Sequence, residues 1–259
     1  MKLKVTLLLL LNIGFFSYAQ ENLTYQKPSK SILDLADYQR APTLSMDTKK
    51  ENMLLLYRNT YKTLDDLNQD EVRLAGLRIN PVTNISSTAT YTTNLKLRKI
   101  SGKEEIQVKG LPENPKITNI LWSPNDKKVL FSHTTNSGVE LWVLDVASAQ
   151  AVKLTEARVN ANLGNPFNWF PDSETILVKM LPKNRQPLLD SKKDLPTGPI
   201  ISNTSGQKSQ NRTYPDMLKN KNDEANFENS VTSELYKVKV NGDAVLFKDC
   251  HVCRRENFS

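Results

Sequence analysis

The stretch KITNILWSPNDKKVLFSHTTNSGVELWVLDVASAQAVKLT, Lys116 to Thr155, holds four short runs of β-branched, aromatic and aliphatic residues cut apart by turn formers. Ile117–Trp122 ends at Ser123-Pro124-Asn125-Asp126, and Lys128–Phe131 with its flanks ends at Thr135-Asn136-Ser137-Gly138. Glu140–Val146 and Val152–Leu154 follow, divided by a small polar turn. Strand formers of this length, bounded by such turns, predict a four-stranded antiparallel meander. A single sheet of this kind leaves an apolar face in water, so a neighbour must cover it.

The flanking sequence supplies neighbours by repetition. Trp169-Phe170-Pro171-Asp172 echoes Trp122-Ser123-Pro124-Asn125 at a distance of 47 positions. Leu141–Val146 is matched by Leu95–Ile100, 46 positions earlier, and by Leu235–Val240, 94 positions later. In each copy the next apolar strand position (Ile106, Val152, Leu246) comes 11 residues on. A four-strand unit recurring every 40–50 or so residues marks a β-propeller blade. The expected fold is all-β: a partial propeller of about three four-stranded blades with two long insertions.

The chain then divides as follows. Residues 1–19 read as a signal peptide: Lys2 and Lys4 precede the apolar run Val5–Phe16, and Ser17-Tyr18-Ala19 offers small residues for cleavage before Gln20. That run is short for a membrane span, so a periplasmic or extracellular protein without stable membrane insertion is expected. Residues 20–40 form an N-terminal arm with a helical hint at Ser31–Tyr38. Blade one takes 41–115 with an insertion at 58–93, blade two 116–157, and blade three 158–248 with an insertion at 181–233. Residues 249–259 are an unaligned tail. Within the second insertion, 196–210 reads as an extended surface loop, with short helical pieces at 214–219 and 223–227. Both insertions fall between the second and third strands of their blades. Successive strands reverse, so both should emerge on one rim, where long loops often bind ligands.

Composition narrows the function. The chain has 259 residues, 38% hydrophobic and 24% charged, with a formal net charge of +7 to which Lys2 and Lys4 contribute. The excess is spread along the chain without an arginine-rich arm, so no nucleic-acid partner is expected. Glu104-Glu105 and Asp65-Asp66 sit in turns or insertions, where carboxylates are ordinarily solvated. No clustered ligands imply a metal or cofactor. The only two cysteines, Cys250 and Cys253, form a C-x-x-C around His251. No helix is predicted there to lower a thiol pKa, the haem order is wrong, and a zinc site lacks a fourth ligand. His133 falls in or beside a strand and reads as structural. Asn-x-Ser/Thr sequons occur at Asn22, Asn84, Asn203 and Asn211.

Several segments resemble the N-terminal part of secreted peptidases of the prolyl oligopeptidase family, closest to the glutamyl endopeptidase-like branch. They are Tyr25–Ile32, Gly110–Asn114 with Trp122-Ser123-Pro124, Gly138–Asp145, Asn160–Phe170 (NANLGNPFNWF) and Val178–Pro182. Inside the second insertion, Pro196–Pro199, Arg212-Thr213-Tyr214 and Asp216–Asn220 match, followed by Ser233–Tyr236. The resemblance implies a propeller of seven or eight blades that packs on an α/β-hydrolase domain carrying a Ser-Asp-His triad. Its partners would be peptides or that hydrolase domain. No Gly-x-Ser-x-Gly elbow occurs in the sequence, so no catalytic residue is assigned and this chain is expected to be inactive by itself. The alternative is an autonomous secreted propeller-like binding or scaffold protein. Three blades cannot close a ring. The outer faces of blades one and three are therefore expected to expose strand residues, with Leu95, Leu97 and Ile100 at one end and Leu235, Val238 and Val240 at the other.

Overall fold

A computed structural model describes residues 26–190, 206 and 216–250. The signal peptide, the 196–210 loop apart from Gly206, the start of the 214–219 piece, His251 and Cys253 lie outside the described residues. The segment up to Gln39 is a unit of its own. Its described part carries helix α1, Lys30–Ala36, closed by a Lys30–Asp34 ion pair of 2.7 Å. Its Ile32 and Leu35 are both exposed.

From Arg40 onward the chain forms three four-stranded antiparallel sheets. Blade one comprises β1 (Thr43–Met46) and β2 (Asn52–Tyr57), then, beyond its insertion, β5 (Asn94–Lys99) and β6 (Glu105–Gln107). The insertion holds a short helix, α2 (Leu64–Leu67), and a hairpin of β3 (Val72–Leu74) with β4 (Leu77–Ile79). Blade two is β7 (Ile117–Trp122), β8 (Lys128–Thr134), β9 (Val139–Asp145) and β10 (Gln150–Lys153). Blade three is β11 (Phe167–Trp169), β12 (Thr175–Met180), β13 (Ser233–Lys239) and β14 (Ala244–Cys250). Its insertion ends in α3, Lys221–Val231, which runs past the short piece expected at 223–227. The blade pattern read from the repeats is therefore present in full.

The core lies in two seams. Between blades one and two, Leu54, Leu95 and Leu97 meet Val129, Phe131 and Leu144. Between blades two and three, Leu130, Leu141 and Val143 meet Ile176, Val178 and Val238. Blade two is thus covered on both faces, and six consecutive β8 residues, Val129 to Thr134, are buried. A strand covered on both sides gives a continuous buried run in place of alternation. Phe131 stacks on Trp142 with ring centroids 6.1 Å apart and an 18° interplanar angle, a separation at which aromatic pairs attract.

Polar contacts fix the angle between blades. The turn after each blade's first strand has a left-handed residue at the same place: Lys50, Asp126 and Ser173, with φ of 56°, 62° and 57°. These turns are linked in series. Asp126 accepts from the Thr48 N–H at 3.0 Å and its hydroxyl at 2.5 Å, and the Asn125 N–H donates to Ser173 Oγ at 3.2 Å. The repeated tryptophans each reach back one blade. Trp122 Nε1–H donates to Ser45 Oγ (3.0 Å), and Trp169 Nε1–H to the Leu121 carbonyl (3.4 Å).

One expectation needs correction. Leu95, Leu97, Leu235 and Val238 are buried, and Val240 packs against the second seam; of the six residues only Ile100 is exposed. Strand alternation explains the blade-one pair, and on blade three Val238 and Val240, which share the parity of the seam residues Ile176 and Val178. Leu235 has the other parity, opposite Lys179, and is buried outside both seams. Leu95 and Leu97 share the face of Leu54 that meets blade two, which turns Lys96 and Arg98 the other way. The outward faces instead expose Leu44 and Met46 on blade one and Val245 and Phe247 on blade three. Lys237 lies over Phe247, 4.2 Å from its ring centroid.

Two substitutions test this packing by urea denaturation. Phe131→Ala should cost about 3–5 kcal/mol, the range for emptying a buried aromatic site. Gly138→Ala should also be severe, because its new Cβ would stand 2.1 Å from the Ala157 carbonyl oxygen. Gly102→Ala, whose Cβ would find only ordinary contacts at 3.7 Å, should be close to neutral.

Candidate functional site

The second- to third-strand insertions and the connections between blades share one rim, and side chains tie them together there. The last carbonyls of a helix lack intrahelical partners and carry its negative dipole end. At the end of α3, the Ser230 carbonyl accepts from three asparagine amides: Asn84 (2.9 Å), Asn160 (3.1 Å) and Asn162 (2.7 Å). Asn84 comes from blade one's insertion, and the other two from the connection between blades two and three. Arg185 caps the neighbouring Asn229 carbonyl at 3.2 Å and donates to Asn84 Oδ1 at 2.8 Å. No carboxylate pairs with Arg185 among the described residues, so the helix end serves as its counter-charge. Burial pushes this guanidinium down from its ordinary value. Asn84 is fully buried with φ of 56°, which closes its sequon to modification in the folded protein.

A second arrangement lies where blade one's insertion leans on the start of blade two. Thr63 caps α2, accepting from the Asp66 N–H at 3.1 Å, while Asp66 Oδ2 accepts from the Thr63 N–H and hydroxyl. This capping box holds Asp66 against Lys116, with Nζ to Oδ1 at 2.8 Å. Burial raises the Asp66 carboxyl, but the hydrogen bonds from Lys116 and Thr63 outweigh it and hold it below the usual carboxylate range. Lys116 also lies 5.7 Å from the Tyr91 ring centroid. A cleft of about 220 Å³ opens here between Lys62, Asn80, Thr83, Tyr91, Lys116 and Thr134. A wider groove adjoins it toward Arg40 and Arg58.

His133 lies behind the cleft. Its Nδ1 accepts from the Lys116 N–H at 3.2 Å, and its ring meets Trp142 edge-on at 6.3 Å. Burial pushes the imidazole down, against the charge of Glu140, which pulls it up. Neutral His133 therefore braces the strand, a structural role.

Of the remaining residues singled out in the sequence, Cys250 ends β14. Glu105 pairs with Lys96 at 3.0 Å on a blade edge, far in sequence from either arrangement. Sequence reasoning left Asp65-Asp66 as solvated, read Asn84 only as a sequon, and missed Lys116 and Arg185. The one available signal was the asparagine-rich NANLGN segment, which supplies Asn160 and Asn162. Among the described residues no group of three or more His, Cys, Asp or Glu stands close enough to hold a metal ion. No helix among them is long and apolar enough to cross a membrane.

No protein-family model matches the chain. The chain is 33% identical over 226 residues to a rice (Oryza sativa subsp. japonica) protein named "Probable glutamyl endopeptidase, chloroplastic", covering 82% of this chain and 24% of the relative. It is 30% identical over 232 residues to the Arabidopsis thaliana protein of the same name, covering 84% of this chain and 24% of the relative. The chain thus spans about a quarter of the length of the curated relatives it matches. A solved Pyrococcus horikoshii acylaminoacyl peptidase is 12% identical with a TM-score of 0.38, over 80% of this chain and 25% of that one; that likeness is too distant to decide anything. The expected periplasmic or extracellular location is corrected by the two plant relatives, both named chloroplastic. It rested on the charge and hydrophobicity of one short segment, which do not by themselves specify a compartment.

Two measurements test the rim. Asn84→Gly removes the side-chain bonds and relieves the left-handed strain, and should cost about 1–3 kcal/mol for the buried groups left unpaired. Asn84→Ala should cost more, since it adds strain at φ 56°. For His133 the folded pKa lies below the unfolded one. Its contribution is therefore complete above about pH 6.5 and is lost as pH falls toward the folded value. Urea midpoints should drop from pH 7.5 to pH 5, and His133→Asn should flatten that slope.

Proposed function

We propose that this chain, homologous to glutamyl endopeptidases, serves peptide hydrolysis as the propeller portion of a serine-type peptidase and cleaves no peptide bond by itself. The observation that carries this reading is the 33% identity held over 226 residues. The sequence is in accord with it, since no Gly-x-Ser-x-Gly occurs. A serine hydroxyl without an adjacent base and oxyanion hole is a poor nucleophile. The rim that carries both insertions is the surface offered to peptides, held in shape by the asparagine–arginine knot. An α/β-hydrolase domain is the partner that would supply the chemistry.

The test is direct. Purified chain should neither cleave peptides bearing Glu, Ala or Pro at the scissile position nor react with a fluorophosphonate probe. Stoichiometric labelling of one serine in this chain would overturn the reading.

A further inference from the structure

We propose that Asn241, at the tip of the hairpin between β13 and β14, is a site of covalent modification in the folded protein. Its side-chain amide is lost through a cyclic imide, and aspartate or isoaspartate takes its place. The sequence holds many asparagines but a single Asn-Gly, at Asn241-Gly242. Glycine has no Cβ to shield its backbone nitrogen or to hinder ring closure. An asparagine before glycine is therefore the one most open to attack by the nitrogen that follows it.

The turn adds to this. Asn241 is exposed, and a Cβ at Gly242 would meet nothing nearer than the Leu154 carbonyl oxygen at 3.9 Å, so the ring has room to form. The Asp243 N–H donates to Asn241 Oδ1 at 3.1 Å. Negative charge develops on that oxygen as Cγ becomes tetrahedral, and a fixed backbone donor there lowers the barrier. Asn241 Nδ2 donates in turn to Asp243 Oδ2 at 2.7 Å, which holds the departing amide nitrogen on a carboxylate. One contact opposes the attack: the Gly242 N–H donates to the Lys239 carbonyl at 2.9 Å. That bond must open first, and exposed hairpin ends are where local opening costs least.

In the first step hydroxide takes the Gly242 N–H proton and the nitrogen bonds to Asn241 Cγ. The Cγ–Nδ2 bond breaks, and Nδ2 takes a proton from water and leaves as ammonia. Water then adds to either carbonyl of the imide. Opening at Cγ restores the chain with aspartate at 241. Opening at the backbone carbon routes the chain through Cγ as isoaspartate, with one more atom in the backbone. Only water enters and only ammonia leaves. The turn is closed by the Gly242 N–H on the Lys239 carbonyl and by the Lys239 N–H on the Asp243 carbonyl at 2.8 Å. A longer backbone does not keep both, so isoaspartate frees the start of β14. The site rests on this hairpin alone and is independent of the peptidase reading.

The experiment keeps the full chain folded in water enriched in heavy oxygen at mildly alkaline pH and follows each asparagine by peptide mapping. An isoaspartate-specific methyltransferase then reports the rearranged product. Asn241 should take up the label about tenfold faster than Asn136, which is also exposed in a turn but precedes serine. The isoaspartate fraction should show faster amide exchange at the start of β14 than the parent, with blade two unchanged. Gly242→Ala should slow the conversion about tenfold. That variant adds strain at φ 92°, so Asp243→Ala, which leaves the backbone conformation free, provides the second test and should slow the conversion while keeping Tm close to the parent's. Labelling of Asn241 no faster than that of Asn136 would overturn the proposal. So would an Asp243→Ala chain that converts as the parent does, since the reactivity would then owe nothing to the folded turn.

Discussion

Both faces of blade two are closed to water, and the rest of the structure depends on that double closure. A single sheet of this length has an apolar face it cannot bury alone. Blade two solves this twice, toward blade one through Phe131 and Leu144 and toward blade three through Leu130 and Leu141. Its neighbours solve it once each. They turn their apolar strand residues inward and leave lysine and arginine, mixed with a few hydrophobics, on their far sides. The sheet in the middle is therefore the one whose strands meet apolar neighbours on both sides.

Hydrophobic burial does not choose an angle, since it is indifferent to direction. The angle between sheets comes from the linked turns and the indole N–H groups. The tryptophan that makes the repeat visible in sequence is also what joins one repeat to the previous one. Its ring fills a seam while its single donor finds an acceptor on the preceding blade. Blade one has Met46 at the corresponding turn, and that side chain is exposed, with no earlier strand in the described residues to receive it.

The blades were legible because each strand carries its own local pattern and each turn its own chemistry. What the sequence did not disclose depends on geometry between segments. The hairpin of β3 and β4 escaped notice although Ala75-Gly76, both at positive φ, form a two-residue turn between Val72-Arg73-Leu74 and Leu77-Arg78-Ile79; at three residues each, the strands are too short for their alternation to stand out. The side toward which Leu95 and Val238 point is fixed by parity across a whole sheet, which a single strand does not reveal. The knot at Ser230 joins residues separated by 70 and 146 positions, and polar residues in long loops look alike whether they are solvated or buried. The pairing of Asp66 with Lys116 is hidden for the same reason.

Asn84 carries a consequence for making the protein. Its amide is the donor that seats one insertion on the other, yet the Asn84-Ile85-Ser86 triplet is also an acceptor for oligosaccharide while the chain is unfolded. A host that attaches sugars during synthesis would meet this amide before burial hides it. A glycan there would leave no room for Asn160 or Arg185, and the two insertions would stay apart on an otherwise finished scaffold. Material from such a host would hold two populations, divided by whether folding or the transferase reached Asn84 first.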